Sequence, residues 1–333
     1  MGKIRFGIIG CSKIANRSSL PAIINSDFAE LEIIGSRDIE KAKKFANKFK
    51  CKNFGIYEDV IESKNVDAVY ISVPTGLHKK WAEKAAKAGK HVLCEKSAVT
   101  SYSHAKEVIS TVRKNETRIM EGFMFQFHPQ HIKVREIITK EDFGKSFIFT
   151  GMYGFHPISK SDIRYDEKLG GGVLNEAGCY PIYASRMIFD EEPVSVSFNL
   201  FNDLETNVDI KGHGIIEFSN ERKAFIGFSF ENQYQANYKI WGENGIVELK
   251  RAYAVPPDFE SIIELTTSDK KSEIKIEPTD HFKNMIDIFC QEIQKKEEDS
   301  INFEEDLLNQ AKLLEAIRES SKKNTIISLL DIQ

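Results

Sequence analysis

Residues Lys3–Ala15 read KIRFGIIGCSKIA. Lys3–Ile9 is an apolar run of strand length, and a helical pattern follows the turn to about Asn25. The turn has G-x-G-x-x-G/A spacing, with Ser12 where the second glycine normally stands and Ala15 in the third small position. Gly10 makes the tight bend, and Ala15 lets the helix lie close on the strand. Ser12 keeps a Cβ, which holds the backbone slightly away from a diphosphate, yet its hydroxyl can bond phosphate. Lys13 and Ile14 open the helix, whose N-terminal N–H groups and dipole suit an anion. Short glycine turns end many strands, so the meaning of this one depends on its surroundings.

Those surroundings alternate. Leu31–Gly35 reads as a strand, and Asp38–Phe49 as a helix with a lysine-rich outer face. Asp67–Ser72 is a strand and Leu77–Ala88 a helix closed by Gly89. His91–Ser97, HVLCEKS, is a fourth strand, buried and ending in Glu95 and Lys96. The helix Ser101–Lys114 and the strand Arg118–Met120 complete the series. This rhythm predicts parallel βαβ units with right-handed crossovers, the setting in which the glycine turn becomes a dinucleotide site.

Ligands of such sheets bind at the carboxyl ends of the strands. The second strand ends in Gly35-Ser36-Arg37-Asp38. Ser36 and Arg37 suit the 2′-phosphate of NADP(H), and Asp38 is expected to cap the next helix. If Asp38 instead faces the ribose, the cofactor is NAD(H). Val73-Pro74-Thr75, with His78 in the following helical turn, is expected to pass under the nicotinamide ribose. Lys96 is placed to face a substrate across a cofactor.

The periodicity changes after Gly122. Lys145–Tyr153 alternates as a strand, and Gly170-Gly171-Gly172 opens a helix to about Ile188. Consecutive strand-like runs follow, from Val194–Phe201 to Glu273–Ile276, joined by hairpin signals. The fold class is therefore α/β: a Rossmann dinucleotide-binding domain over residues 1–122, then an α+β domain over 123–333 built on a mostly antiparallel open sheet. Asp280–Lys295 and Phe303–Lys322 are closing helices, the last one with Asn302 and Glu305 in capping-box spacing and able to pack back on the first domain. Phe225, Phe228 and Phe230 are expected to face a partner subunit, giving a homodimer or homotetramer through the sheet. On the glycine helix, Glu176, Tyr180 and Tyr183 share one face. A lysine and a tyrosine converging on a carbonyl beside a nicotinamide form a proton-transfer pair.

Composition narrows the class. The chain has 333 residues, 41% hydrophobic and 29% charged, with a net charge of -4. That length favours two domains, and no long basic run invites nucleic acid. No charged-then-apolar leader and no membrane-length apolar run is present. The five cysteines never take CxxC spacing, so a reduced cytoplasm is expected, with no disulfide framework and no zinc site. His128 and His131 are three apart, but Pro129 and the lack of nearby carboxylates argue against a metal.

GIIGCSKIA, GLHKKWAEKAAKAGKHVLCEKS and LGGGVLNEAGCYPIYA, in this order over nearly the whole chain, resemble the glucose-fructose oxidoreductase / inositol dehydrogenase / MocA family. GCSKIANRSSLPAI, FMFQFHPQH and SDIRYDEKLGGG are similar to its sugar 3-ketoreductases, which act on nucleotide-linked deoxysugars. The resemblance implies that Lys96 and Tyr180 flank the reacting carbon, one giving the proton and the other holding the oxygen, in either order. It implies that Glu95 orients Lys96 or the cofactor ribose, and that Arg164 lies over the nicotinamide. Gln126, His128, His156, Glu176 and Tyr183 are the implied substrate contacts. Three positions depart from the family pattern: Ser97 stands where proline is usual, Glu176 where aspartate is usual, and Tyr183 where the inositol branch has an acid or histidine. The implied activity is NADP(H)-dependent hydride transfer to a keto sugar, with a nucleotide sugar as substrate. The alternatives are a dehydrogenase of a free aldose, polyol or trans-dihydrodiol, and a non-catalytic dinucleotide-binding regulator, which need not keep both Lys96 and Tyr180.

Overall fold

The chain opens with β1 (Ile4–Ile9), where Phe6, Ile8 and Ile9 are fully buried. A computed structural model describes residues 2–295 and 301–332. The chain divides into two compact units, Met1–Met124 with Phe282–Ala311, and Phe125–His281 with Lys312–Gln333.

In the first unit β1 is followed by α1 (Leu20–Asn25), β2 (Ala29–Gly35), α2 (Ile39–Phe49), β3 (Asn53–Gly55), α3 (Tyr57–Glu62) and β4 (Ala68–Ile71). Then come α4 (His78–Lys87), β5 (His91–Glu95), α5 (Tyr102–Lys114) and β6 (Ile119–Gly122). The six strands form one sheet in the order β3-β2-β1-β4-β5-β6, every pair parallel. Strand order reverses at β1, so a crevice opens between the tips of β1 and β4, the ligand position of such sheets. Asp38 caps α2, its Oδ1 accepting the N–H groups of Glu40 (3.0 Å) and Lys41 (3.2 Å). Two elements escaped the sequence reading, β3 and α3. A three-residue strand and a six-residue helix are too short to show a period.

Phe282–Ala311 also belongs to this unit, through most of α8 (His281–Glu292) and the first half of α9 (Phe303–Lys323). Leu307 and Ala311 enter its apolar core. Glu304 accepts from the Arg118 guanidinium at 2.9 and 3.0 Å and from the Ile119 N–H at 2.9 Å. The edge strand β6 thus has its end covered by a helix start.

The second unit holds α6 (Pro129–Ile138), β7 (Ser146–Gly154), α7 (Cys179–Phe189), β8 (Ser195–Asn202), β9 (Asp209–Glu217), β10 (Lys223–Ser229) and β11 (Gln235–Gly242). It continues with β12 (Gly245–Leu249), β13 (Ser261–Thr267), β14 (Lys271–Ile276) and β15 (Ile327–Ser328). Its nine-stranded sheet runs β14-β13-β12-β11-β7-β10-β9-β8-β15, antiparallel except for β7 with β10. Alternation sorts the faces. Phe149, Ile226, Phe228 and Ile240 are buried on the side that α7 covers. Phe225 and Trp241 lie on the other side, 37% and 53% exposed. Of the three phenylalanines expected at a partner surface, only Phe225 is there. Phe228 lies against Gly178 and Gly212, and Phe230 packs on Phe155 and Tyr165. Phe228 falls an odd number of residues from Phe225, which puts it on the opposite face of the strand.

Three imidazoles are sealed in this unit. His131 bonds the Tyr238 hydroxyl at 2.8 Å and the Ala252 carbonyl at 2.9 Å, and the His128 and His281 rings meet edge to face. Burial pulls His128 down to about 4 and His131 and His281 down to about 3. Each ring is neutral when folded but takes a proton in the unfolded chain below its ordinary value near 6.5. The unfolded state then binds more protons, so stability is full above about pH 6.5 and is lost as the pH falls toward the folded values. The unfolding midpoint measured by scanning fluorimetry is expected to drop between pH 7 and pH 5, less steeply in His131→Phe. A midpoint flat across that interval would contradict neutral buried rings.

Candidate functional site

The first unit carries an anion cradle at the carboxyl end of its sheet. Gly10 has φ +113, and a Cβ there would meet the Ser72 backbone at 3.0 Å, so only glycine lets β1 turn this close to β4. Ser72 Oγ donates to the Gly10 carbonyl at 2.9 Å and locks the turn. Ser12 Oγ accepts the Ala15 N–H at 3.0 Å, so this hydroxyl caps the first helical turn and keeps its own O–H to donate. Lys13 is exposed, Ile14 half-buried and Ala15 fully buried against the sheet.

Beside the cradle, at the tip of β2, Ser36 is 3% exposed and accepts the Asp38 N–H at 3.2 Å, while Arg37 is exposed. Asp38 faces its own helix as a cap, which leaves a hydroxyl and a guanidinium at the tip. Lys41, not singled out from the sequence, joins them. Burial pushes the Cys11 thiol up to about 11, and the Lys41 charge and the Ser36 hydroxyl pull against that rise. Lys41 sits three residues beyond the cap, a helical spacing that could have revealed it. This donor set fits a dinucleotide with an added phosphate on its adenosine ribose.

The tips of β4 and β5 are joined by one ring. His78 is 1% exposed, its Nδ1 2.8 Å from the Ser97 carbonyl and its Nε2 2.7 Å from the Val73 carbonyl. Both nitrogens are engaged, so His78 supports the two tips and has no ring nitrogen left for a cofactor. Val73 and Thr75 are buried and Pro74 is half-buried at the start of the turn. The Lys96–Ser97 peptide is cis. Ala98 N–H donates to Glu121 Oε1 at 2.8 Å, and Glu95 accepts the Tyr70 hydroxyl. Residues 95, 97 and 98 are each held by a buried partner, and Lys96 stands among them, half-buried.

The second unit carries the tyrosine. The helical stretch begins with a π-helical turn, Leu174–Gly178, and continues as α7. Asp209, reaching from β9, accepts the Leu174 N–H at 2.6 Å and so caps a helix distant in sequence. A Cβ on Gly172, at φ +114, would lie 2.2 Å from Asp209 Oδ1, and one on Gly171 would lie 2.4 Å from the Arg164 carbonyl. The glycines thus bring the helix start onto both segments. Asp209 was invisible in the sequence, because a lone acid at a strand start carries no pattern. Burial raises its carboxyl above the usual range, with the Leu174 N–H and the Arg318 charge working against that.

Tyr180 is 6% exposed in an aromatic nest with Phe125, Tyr153 and Tyr253, ring centroids 5.7, 5.1 and 5.9 Å away. Tyr183 donates to Gln126 Oε1 at 2.9 Å, so these two expected substrate contacts touch each other. Glu176 pairs with Arg164 at 3.4 Å, and Arg164 also bonds Asp162 at 3.1 Å. His156 is exposed on the loop after β7. His128 is fully buried and caps α6 through the Gln130 N–H at 3.3 Å, so it lies in the core and not on a sugar-facing surface. Among the described residues no helix is long and apolar enough to cross a membrane.

The family of GFO/IDH/MocA oxidoreductases with an NAD-binding Rossmann fold matches residues 4–123, and its C-terminal domain matches residues 131–248. The dTDP-3,4-didehydro-2,6-dideoxy-alpha-D-glucose 3-reductase of Actinomadura kijaniata is 31% identical over 96% of this chain and 96% of that protein. The enzyme of the same name from Saccharopolyspora spinosa is 29% identical over 96% of this chain and 98% of its own length. A crystal structure of a 3-ketoreductase from A. kijaniata with NADP and TDP-benzene superposes with a TM-score of 0.91 at 30% identity, covering 96% of this chain and 98% of that one. That 3-ketoreductase has also been solved with single substitutions at one tyrosine and at one lysine.

Gly172→Ala is expected to cost about 2 kcal/mol in urea unfolding, since both the backbone angle and the Asp209 oxygen oppose a methyl group. Wild-type stability in that variant would mean that the Asp209 cap does not depend on the close approach.

Proposed function

The chain belongs to the GFO/IDH/MocA oxidoreductase family, and from that premise we propose that it is an NADPH-dependent reductase of a nucleotide-linked 3-keto sugar. One observation carries the reading. A lysine at the carboxyl end of β5 is flanked by three buried hydrogen bonds, in the same sheet as a glycine cradle and a phosphate-selective strand tip.

Gly10 and Ser12 would hold the diphosphate, Ser36, Arg37 and Lys41 the 2′-phosphate, and Val73-Pro74-Thr75 the nicotinamide ribose. The bound cofactor supplies a hydride to the keto carbon. The chain's part is the oxygen. We assign Tyr180 to give its phenolic proton to that oxygen and Lys96 to donate a hydrogen bond that stabilises the developing alkoxide, with the converse assignment equally balanced in protons. Tyr180 sits in largely dry surroundings, where such a donor acts most strongly. Arg164, paired with Glu176, would close over the nicotinamide end. Tyr183 and Gln126, holding each other, would present a fixed amide to sugar hydroxyls. The nucleotide handle is inferred from the relatives' substrates, and action in a reducing cytoplasm from the five free cysteines.

We also assign the outer sheet face to self-association. Phe225 lies in register with Thr150 and Ile215, and Trp241 with Ile148 and Ile246, an apolar band too exposed to be stable in water alone. A symmetric pairing of two such faces buries it.

Lys96→Met and Tyr180→Phe are each expected to lower turnover by about 10²–10⁴-fold with NADPH affinity kept. Fluorescence titration should show NADPH bound more tightly than NADH, with Arg37→Ala weakening NADPH about tenfold or more. Full turnover in Lys96→Met would sink the assignment. NADH preference indifferent to Arg37 would return the cofactor to NAD(H).

Light scattering should give a dimer or tetramer for the wild type and a smaller species for the Phe225→Lys, Trp241→Lys double variant. A monomeric wild type at micromolar concentration would refute the sheet-face interface.

A further inference from the structure

Three hydroxyl and carboxyl groups form a buried chain beneath the tip of β5. Glu95 is 9% exposed and its Oε1 accepts the Tyr70 hydroxyl. Tyr70 is fully buried in β4, between β1 and β5, and its oxygen accepts the Ser19 hydroxyl at 2.7 Å. Ser19, also fully buried, ends the π-helical turn Ala15–Ser19 that follows the Gly10 cradle. An ionised carboxylate only accepts, so one charge fixes the direction of both bonds: Tyr70 donates to Glu95 and Ser19 donates to Tyr70. Burial, with the Glu95 charge beside it, holds the Tyr70 phenol well above its ordinary value, so it remains a donor. A phenylalanine would fill the same space without needing a partner. The packing therefore does not require the two hydroxyls, whereas Glu95 does.

We propose that Tyr70 and Ser19 are positioning residues for Lys96, acting through Glu95; this rests on the assignment of Lys96 to the reacting oxygen. Lys96 follows Glu95 directly at the end of β5, so tying Glu95 to Tyr70 and Ser19 fixes the backbone from which Lys96 projects. The Ser97 carbonyl and Ala98 N–H, held by His78 and Glu121, fix the next two residues. A carboxylate held one residue away favours the charged ammonium. Without the Tyr70 hydroxyl Glu95 loses the donor that fixes its side chain, its charge is no longer held in place, and the ammonium loses part of its support. Cys94, next to Glu95 on its own strand, is a buried thiol raised by burial and by the charges of Glu121 and Glu95.

The test is competitive labelling of the ligand-free full chain with trace acetic anhydride across pH 7 to 11. The Lys96 peptide is quantified by mass spectrometry against the exposed Lys43 and Lys64. In Tyr70→Phe the Lys96 midpoint is expected about one pH unit lower, which makes its labelling about tenfold faster well below the midpoint. Glu95→Gln should match or exceed that shift, and Ser19→Ala should give a smaller one in the same direction. Turnover of Tyr70→Phe should fall about tenfold with NADPH affinity kept within about twofold. A lowered unfolding temperature with an unmoved Lys96 midpoint would overturn the proposal and leave Tyr70 a packing residue. If Tyr70→Phe does not fold, an unmoved midpoint in Ser19→Ala overturns it equally. Labelling needs neither substrate nor cofactor. A shifted midpoint together with full turnover in Lys96→Met would therefore uphold the positioning chain and reject the catalytic reading.

Discussion

The first unit depends on how the carboxyl end of β5 is tied down. A strand tip at the edge of a ligand crevice has backbone groups with no ladder partner, and each must be satisfied or left to water. Here buried side chains do it. His78 faces the Ser97 carbonyl, Glu121 takes the Ala98 N–H, and Tyr70 anchors Glu95. These partners come from α4, β6 and β4, so the turn is built from three different elements, in the two crossover units that meet at β5. Removing any one would leave a buried polar group without its mate, a cost of about 1–3 kcal/mol. A lysine whose neighbours are held this way has a fixed backbone to project from, which is what preorganisation would require of it.

The second unit solves the same problem with glycine and a distant acid. A helix start leaves N–H groups unsatisfied, and a local serine or aspartate normally supplies the cap. Between Gly170 and Leu174 no such residue is present, and the cap comes from Asp209 on β9. The price is glycine at 171 and 172, because side chains there would collide with the Arg164 carbonyl and with Asp209. The helix bearing Glu176, Tyr180 and Tyr183 is thereby fixed to the sheet at its first turn. Its aromatic face is then packed by rings from β7, from the segment after β12 and from the stretch before α6. The His131 ring buried in this unit is engaged by the Tyr238 hydroxyl and the Ala252 carbonyl.

Much of this was legible in the sequence. The alternation of apolar runs with helical periods gave the parallel sheet, because a strand buried on both faces must be apolar throughout. The spacing from Gly10 to Ala15 gave the cradle, since a close turn admits only small residues. Asp38 as a cap followed from its place just before a helical pattern. The strand-only stretch after Val194 gave the antiparallel sheet. Misplaced features were those in which the residue type was right and the environment was not. Phe228 and Phe230 were read as a surface, and parity along β10 with the loop after it puts them inside. His128 was read as a sugar contact, and its place before Pro129 makes it a buried cap instead.

The sequence by itself determined most of the longer strands and helices, where the dinucleotide turn lies, and that a lysine follows β5 and a tyrosine sits on the glycine helix. Those properties are local, set by periodicity, by glycine and by capping within a few residues. Only the tertiary structure decided what holds them. Tyr70 lies 25 residues from Glu95, Ser19 lies 51 from Tyr70, and Asp209 lies 35 from Leu174. No local period links such pairs, because a hydrogen bond between elements depends on which strands the crossovers bring side by side, and that is a property of the folded sheet and not of the neighbouring chain.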